Sequence, residues 1–135
     1  MAQKTRQGFV RYWLPVLVYV ILIFTASSIP HLTPPFHFPN SDKAVHLVEY
    51  SILGFLLTRA LRTIPALGVA SKAGLAALVM GSMVGALDEI YQRWTPGRES
   101  SPFDWMADTL GLTLALLLYT WNARRRQAPV RRQER

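Results

Sequence analysis

The sequence has no cysteine among its 135 residues, which excludes a disulfide framework and a thiolate metal site and leaves the redox compartment unmarked. Acid is scarce: eight Asp and Glu stand against fifteen Lys and Arg, for a formal net charge of +7. Histidine is scarcer still, confined to His31, His37 and His46. Neither HExxH nor a paired-His spacing occurs, so the usual zinc signatures are missing. No serine-histidine-acid or cysteine nucleophile pattern is present, and no reaction class can be read from a motif. Apolar residues, by contrast, make up half of the chain. The polar ones are crowded into a few places, the pattern of a membrane protein, and the length allows one domain.

Residues 1–11 are polar and basic, with Lys4, Arg6 and Arg11. Residues 12–29, YWLPVLVYVILIFTASSI, carry no charge and approach the roughly 20 residues needed to cross a bilayer, with Tyr12 and Trp13 suited to the interface. Pro15 falls in the first turn of this expected helix, where proline is tolerated. A cleaved signal peptide is the competing reading of the segment. Residues 30–41, PHLTPPFHFPNS, hold four prolines together with His31 and His37, which predicts a semi-rigid extended loop. Ser41 or Asp42 then caps a second helix over about 42–62. A connection containing Pro65 and Gly68 leads to a third helix over about 72–94. Its Gly74, Ala77, Gly81 and Gly85 form a small-residue face that serves packing within one chain or pairing with a second copy. After the Pro96-Gly97 turn a fourth helix covers about 103–122. A basic tail over 124–135 is expected to be disordered beyond its first turn.

These segments predict an all-α polytopic membrane protein: a cytoplasmic N-terminus over 1–11, a four-helix membrane domain over 12–123 and a cytoplasmic tail over 124–135. Four spans put both termini on one side. Twelve of the fifteen basic residues lie on that side and only Lys43, Arg93 and Arg98 on the other, so the positive-inside rule places both termini in the cytoplasm. The basic excess then faces an anionic leaflet, and no nucleic-acid partner is required. Acids run the opposite way: seven fall in the outer half and Glu134 alone in the inner.

Those outer acids lie at one depth. With a rise of 1.5 Å per residue, Asp88 lies roughly 9 Å below Trp94, Glu49 roughly 10 Å below Asp42 and Asp108 roughly 8 Å below Phe103. Helical rotation places Gly81, Gly85, Asp88 and Gln92 on one stripe, with Glu89 at its edge. Asp104, Asp108, Gly111 and Ala115 form a second stripe, and His46, Tyr50, Leu53 and Leu57 a third. Three helices therefore direct polar groups toward a pocket that opens outward.

Four readings of this pocket remain open. It is a hydrogen-bonded lock that sets helix register; a binding site, with Lys43, Arg93 and Arg98 around the acids, for a phosphate-bearing lipid headgroup or an amphipathic cell-wall precursor; a catalytic site using His46 with Glu49, Asp88 or Asp108 at a phosphoester or carbonyl; or a cation site. One His among several carboxylates suits Mg, Mn or Ca better than Zn. The spacing assigns no metal ligands and names no cofactor.

The segments SDKAVHLVEYSILGFLL at 41–57 and ALDEIYQRWTPGRESSPFDWMADTLG at 86–111 resemble the VanZ-like family, in order and helical context as well as in residues. The resemblance assigns Asp42, Lys43, His46, Glu89, Gln92, Arg98, Asp104 and Asp108 to the family's characteristic polar positions; Asn is common at the position of Asp108. It implies a small multi-pass protein of the bacterial inner membrane, whose founding relative is associated with resistance to the glycopeptide teicoplanin. The combined expectation is a pocket made by Asp42, Lys43, His46, Glu49, Tyr50, Asp88, Glu89, Gln92, Arg98, Asp104 and Asp108. It binds or acts on a lipid-linked or cell-envelope molecule. The catalytic candidates in an enzyme reading are His46 with Asp108 or Glu89. A structural subunit of a membrane complex is the remaining alternative, and Gly81 and Gly85 offer a surface for a homo-oligomer.

Overall fold

Uninterrupted runs of Leu, Val, Ile and Ala, punctuated by Pro and Gly only at a few points, hold most of the chain in helix. The computed structural model describes residues 2–32 and 39–127. Helix α1 is Ala2–Ser27, α2 is Ser41–Leu61, α3 is Ala70–Gln92 and α4 is Pro102–Gln127. One turn of 3-10 helix at Pro65–Leu67 joins α2 to α3, and there is no strand among the described residues. His37, residues 33–38 of the proline-rich loop and the tail beyond Gln127 lie outside the described residues.

The helix boundaries differ from the expected ones for local reasons. Helix α1 begins at Ala2 rather than Tyr12, because Gln, Lys and Arg are good helix formers and continue the apolar run backwards. Pro15 is thereby in the helix interior and not in its first turn. A proline there has no N–H for the carbonyl four residues earlier, and a guanidinium N–H of Arg59 on α2 donates to that Arg11 carbonyl instead, at 3.3 Å. The Arg11 and Arg59 guanidinium carbons lie 5.5 and 5.0 Å from the centre of the Tyr12 ring, so the defect left by Pro15 becomes an α1–α2 clamp. At α2 the cap is Asn40, in a left-handed conformation with φ 61 and no side-chain cap hydrogen bond. Ser41 and Asp42, the expected caps, are in the first turn, and Asn is among the few residues that enter that conformation readily. Helix α4 runs on to Gln127, with Arg124, Arg125 and Arg126 in its last turn complementing the partial negative charge of the helix end.

Helix α2 is the centre of the bundle. It packs most extensively on α4 and then on α3, while α1 leans chiefly on α2. Small residues set the distances. Gly74 and Gly81 accept Leu116 and Leu112 of α4, Gly85 backs onto Asp108, and Gly111 lies against the backbone of α2 at Leu47 and Ser51. The Gly81 and Gly85 face is thus covered by α4 of the same chain. Ile23, Tyr50, Leu53, Ala60, Ala73 and Leu112 form the innermost layer.

The exterior is apolar and one end of the interior is polar, the reverse of a soluble domain: Ile21, Val79, Met83, Leu110 and Leu117 are all exposed. Three helical segments, Gln7–Ser27, Ser41–Leu61 and Ala70–Gln92, are long and apolar enough to cross a membrane. Helix α4, expected as the fourth span, is long enough but falls short in hydropathy; Asp104, Asp108, Thr109, Thr113, Thr120 and Asn122 dilute its leucines.

The turn between α3 and α4 depends on Gly97, whose φ is 73 and whose open side is filled by the His31 ring. Gly97→Ala should cost roughly 1–2 kcal/mol, because a Cβ is strained in that conformation, and should also displace His31. A lower unfolding temperature in detergent is the expected result; an unchanged one would show that the turn does not hold His31.

Candidate functional site

Each stripe foreseen for the polar end is buried, and the helices bring the stripes face to face. From α2, His46 and Tyr50 point inward; from α3, Asp88, Glu89 and Gln92; from α4, Asp104 and Asp108. The centre is a contact between His46 Nδ1 and Asp108 Oδ1 at 2.9 Å, with the aspartate side chain fully buried and the histidine side chain 10% exposed. With Nδ1–H donating to the carboxylate, the pairing leaves Nε2 as the ring nitrogen not committed to Asp108. Around this pair, Gln92 Nε2 donates to Asp88 Oδ2 at 2.9 Å and to Ser27 Oγ at 3.2 Å. Glu89 Oε2 accepts the backbone N–H of Ser101 at 2.8 Å, which ties α3 to the loop ahead of α4.

Lys43 closes the rim, donating to Asp42 at 2.8 Å and to the buried Asp104 at 3.0 Å. The second contact is the more consequential, because Asp42 is half-exposed and its ion pair is largely screened. Arg98 donates to the Leu32 carbonyl at 3.0 Å and so reaches from the α3–α4 loop to the segment after α1. Arg93, which the charge pattern set beside the acids, turns instead toward Ser100 at 3.4 Å.

A cleft of about 370 Å³ opens above this cluster, lined by polar Ser27, Asp42, His46, Glu49, Gln92, Arg98, Glu99 and Asp104 and by apolar Ala26, Leu32 and Val45. Two of its polar residues were not singled out in the sequence. Ser27 is buried at the end of α1 and makes that helix a fourth wall; a small-residue run closing an apolar helix was its only signal. Glu99 was recognised among the outer acids but not as part of the site. Conversely, Tyr50, Asp88, Glu89 and Asp108 do not line the cleft but lie beneath or beside it.

Three of the buried carboxylates are half satisfied. Asp88 Oδ1, Glu89 Oε1 and Asp108 Oδ2 have no hydrogen-bond partner among the described residues, and neither does the Tyr50 hydroxyl. Buried polar atoms are rarely left so, and leaving them unpaired costs free energy that a merely structural network would avoid. His46, Glu89 and Asp108 each offer a ligand atom within 4.8 Å of the others.

The fold and site define a class: an all-helical membrane protein whose helices enclose a carboxylate-rich cluster at one end of the bundle. The VanZ/LLP1 family model matches residues 9–123, so the chain belongs to that family. Comparison with curated proteins and with solved structures finds no match.

Proposed function

We propose that the cleft binds the headgroup of a lipid-linked cell-envelope molecule, presented from the outer leaflet of a bacterial inner membrane that all four helices span with both termini in the cytoplasm. The observation that carries this reading is the mixed lining of the cleft, which combines carboxylates with Arg98 and with the apolar Ala26, Leu32 and Val45. Carboxylates accept hydrogen bonds from hydroxyl and amine groups, and a guanidinium pairs with phosphate. Together they suit a sugar- and phosphate-bearing headgroup with an acyl or prenyl tail lying along the apolar exterior. The outward orientation follows from the concentration of Lys and Arg at the opposite end of the bundle.

Mass spectrometry of lipids retained by the purified protein tests this reading. A phosphate-bearing lipid should co-purify with the wild type and be depleted at least roughly tenfold in Arg98→Ala, the equivalent of about 1.4 kcal/mol for one charge-assisted contact. Retained lipids that match the bulk membrane in both proteins would sink it. Reduced sensitivity to a teicoplanin-type glycopeptide is the cellular consequence to look for when the protein is expressed.

The His46–Asp108 contact favours a second reading, a lipid or phosphoester enzyme in which Asp108, or Glu89, supports His46 as general base. In that case Asp108→Asn abolishes a change in the precursor or lipid profile that the wild type produces, while its fold is retained.

A further inference from the structure

We infer that His46, Glu89 and Asp108 form a divalent cation site next to the cleft, which His46 alone of the three lines. Three separate observations converge there. The first is placement: α2, α3 and α4 each contribute one ligand type, and the three ligand atoms lie within 4.8 Å of one another. A three-point set drawn from three helices is held rigidly, since none of its members sits on a loop.

The second is unused coordination capacity. Glu89 spends Oε2 on Ser101, and Asp108 spends Oδ1 on His46. Glu89 Oε1 and Asp108 Oδ2 are buried without any partner among the described residues. Glu89 is 6% exposed and Asp108 not at all. Two carboxylates brought together at that depth repel each other unless a proton or a cation offsets one of the charges. Lys43 does not supply it, because its ammonium is engaged by Asp42 and Asp104 at the rim. A divalent ion would satisfy the free oxygens and balance both charges.

The third is a distance. His46 Nδ1 and Asp108 Oδ1 are 2.9 Å apart. Adjacent ligands of an octahedral ion with bonds of about 2.1 Å are separated by about 3.0 Å, so the two atoms already stand at the spacing of a coordination edge, and ion binding would replace their hydrogen bond with release of the Nδ1 proton. The donor set of one imidazole and two carboxylates favours Mn²⁺ over Ca²⁺, which takes oxygen alone, and leaves the remaining positions to water or to an oxygen of a bound headgroup. Asp88 and the Tyr50 hydroxyl, also buried and incompletely paired, stand beside the cluster as groups that such waters can reach. The ion site rests on these contacts alone and does not require the headgroup reading.

Protein purified in detergent and stripped with EDTA is titrated with MnCl₂ and followed by electron paramagnetic resonance and by thermal unfolding. One Mn²⁺ per chain and a raised unfolding temperature are expected, with affinity reduced at least roughly tenfold by Glu89→Gln and by Asp108→Asn. Both variants are close in shape to the native residues; if one does not fold, the wild-type stoichiometry and the other variant still decide. No uptake at millimolar Mn²⁺, or uptake unchanged in the folded variants, overturns the assignment. Lipid analysis of the same stripped protein separates the two proposals: a headgroup retained without any Mn²⁺ uptake defeats the ion and leaves the headgroup reading standing. Mn²⁺ uptake by protein that retains no specific lipid supports the ion and defeats the headgroup.

Discussion

His46→Ala, measured in EDTA so that no ion contributes, should lower unfolding stability by about 3–5 kcal/mol, the usual cost of removing one partner from a buried pair. The cost arises from what remains. Asp108 is fully buried, its Oδ1 is held by His46 Nδ1 at 2.9 Å, and its Oδ2 already has no partner among the described residues. With the imidazole gone, neither oxygen has a donor, and the carboxylate is left desolvated beside Gly85 and Tyr50. Replacing both partners has the opposite character: His46→Leu with Asp108→Leu removes the charge that needed compensation and should recover most of the lost stability, since apolar substitutes for a buried pair are often neutral or better. The double variant should nevertheless bind neither the cation nor the headgroup. This combination, stability restored and binding absent, would show that the pair is kept for function. A single variant costing less than about 1 kcal/mol would mean that water already reaches Asp108 and that the pair contributes little.

Gly111→Ala should be nearly as damaging, at about 3 kcal/mol, the upper end of ordinary overpacking. A Cβ at Gly111 falls on the Leu47 carbonyl and close to the Ser51 nitrogen, both backbone atoms of α2. Backbone cannot rotate aside, so α2 and α4 have to separate. Gly81→Ala is the comparison: the three atoms nearest its Cβ all belong to the Leu112 side chain, which can change rotamer, and about 1 kcal/mol is expected. The two substitutions differ in their effect on the site as well. Leu47 adjoins His46 and Gly111 lies one helical turn from Asp108, so separating the helices there opens the His46–Asp108 contact. Gly111→Ala should therefore lose Mn²⁺ and headgroup binding together with stability, whereas Gly81→Ala keeps binding. Equal stability losses in unfolding experiments on the two proteins would show that α2 and α4 are not held together at this point.

Much of the bundle was legible because hydropathy and helical periodicity act over whole segments. The four helices, the inward stripe of α3 from Gly81 to Gln92 and the inward His46 and Tyr50 of α2 follow from a repeat that every residue of a helix shares. The ends were less legible, because they depend on single residues. The start of α2 turns on the left-handed backbone of Asn40 alone, and the rescue of the Arg11 carbonyl on one contact with Arg59, 48 residues away.

Sequence alone determined the all-helical class, the family, and the concentration of acids at one end, since those are properties of composition, order and period. Tertiary structure decided which polar groups meet: His46 with Asp108, Gln92 with both Asp88 and Ser27, and Lys43 with Asp104 and Asp42. It also decided that Arg93 stays out of the cleft lining while Ser27 and Glu99 join it. The reason is geometric. Periodicity sets the rotation of a residue about its own helix axis, but a contact of 2.9 Å between α2 and α4 requires their separation and register. Those are set by where Gly111 lets one backbone lie against the other.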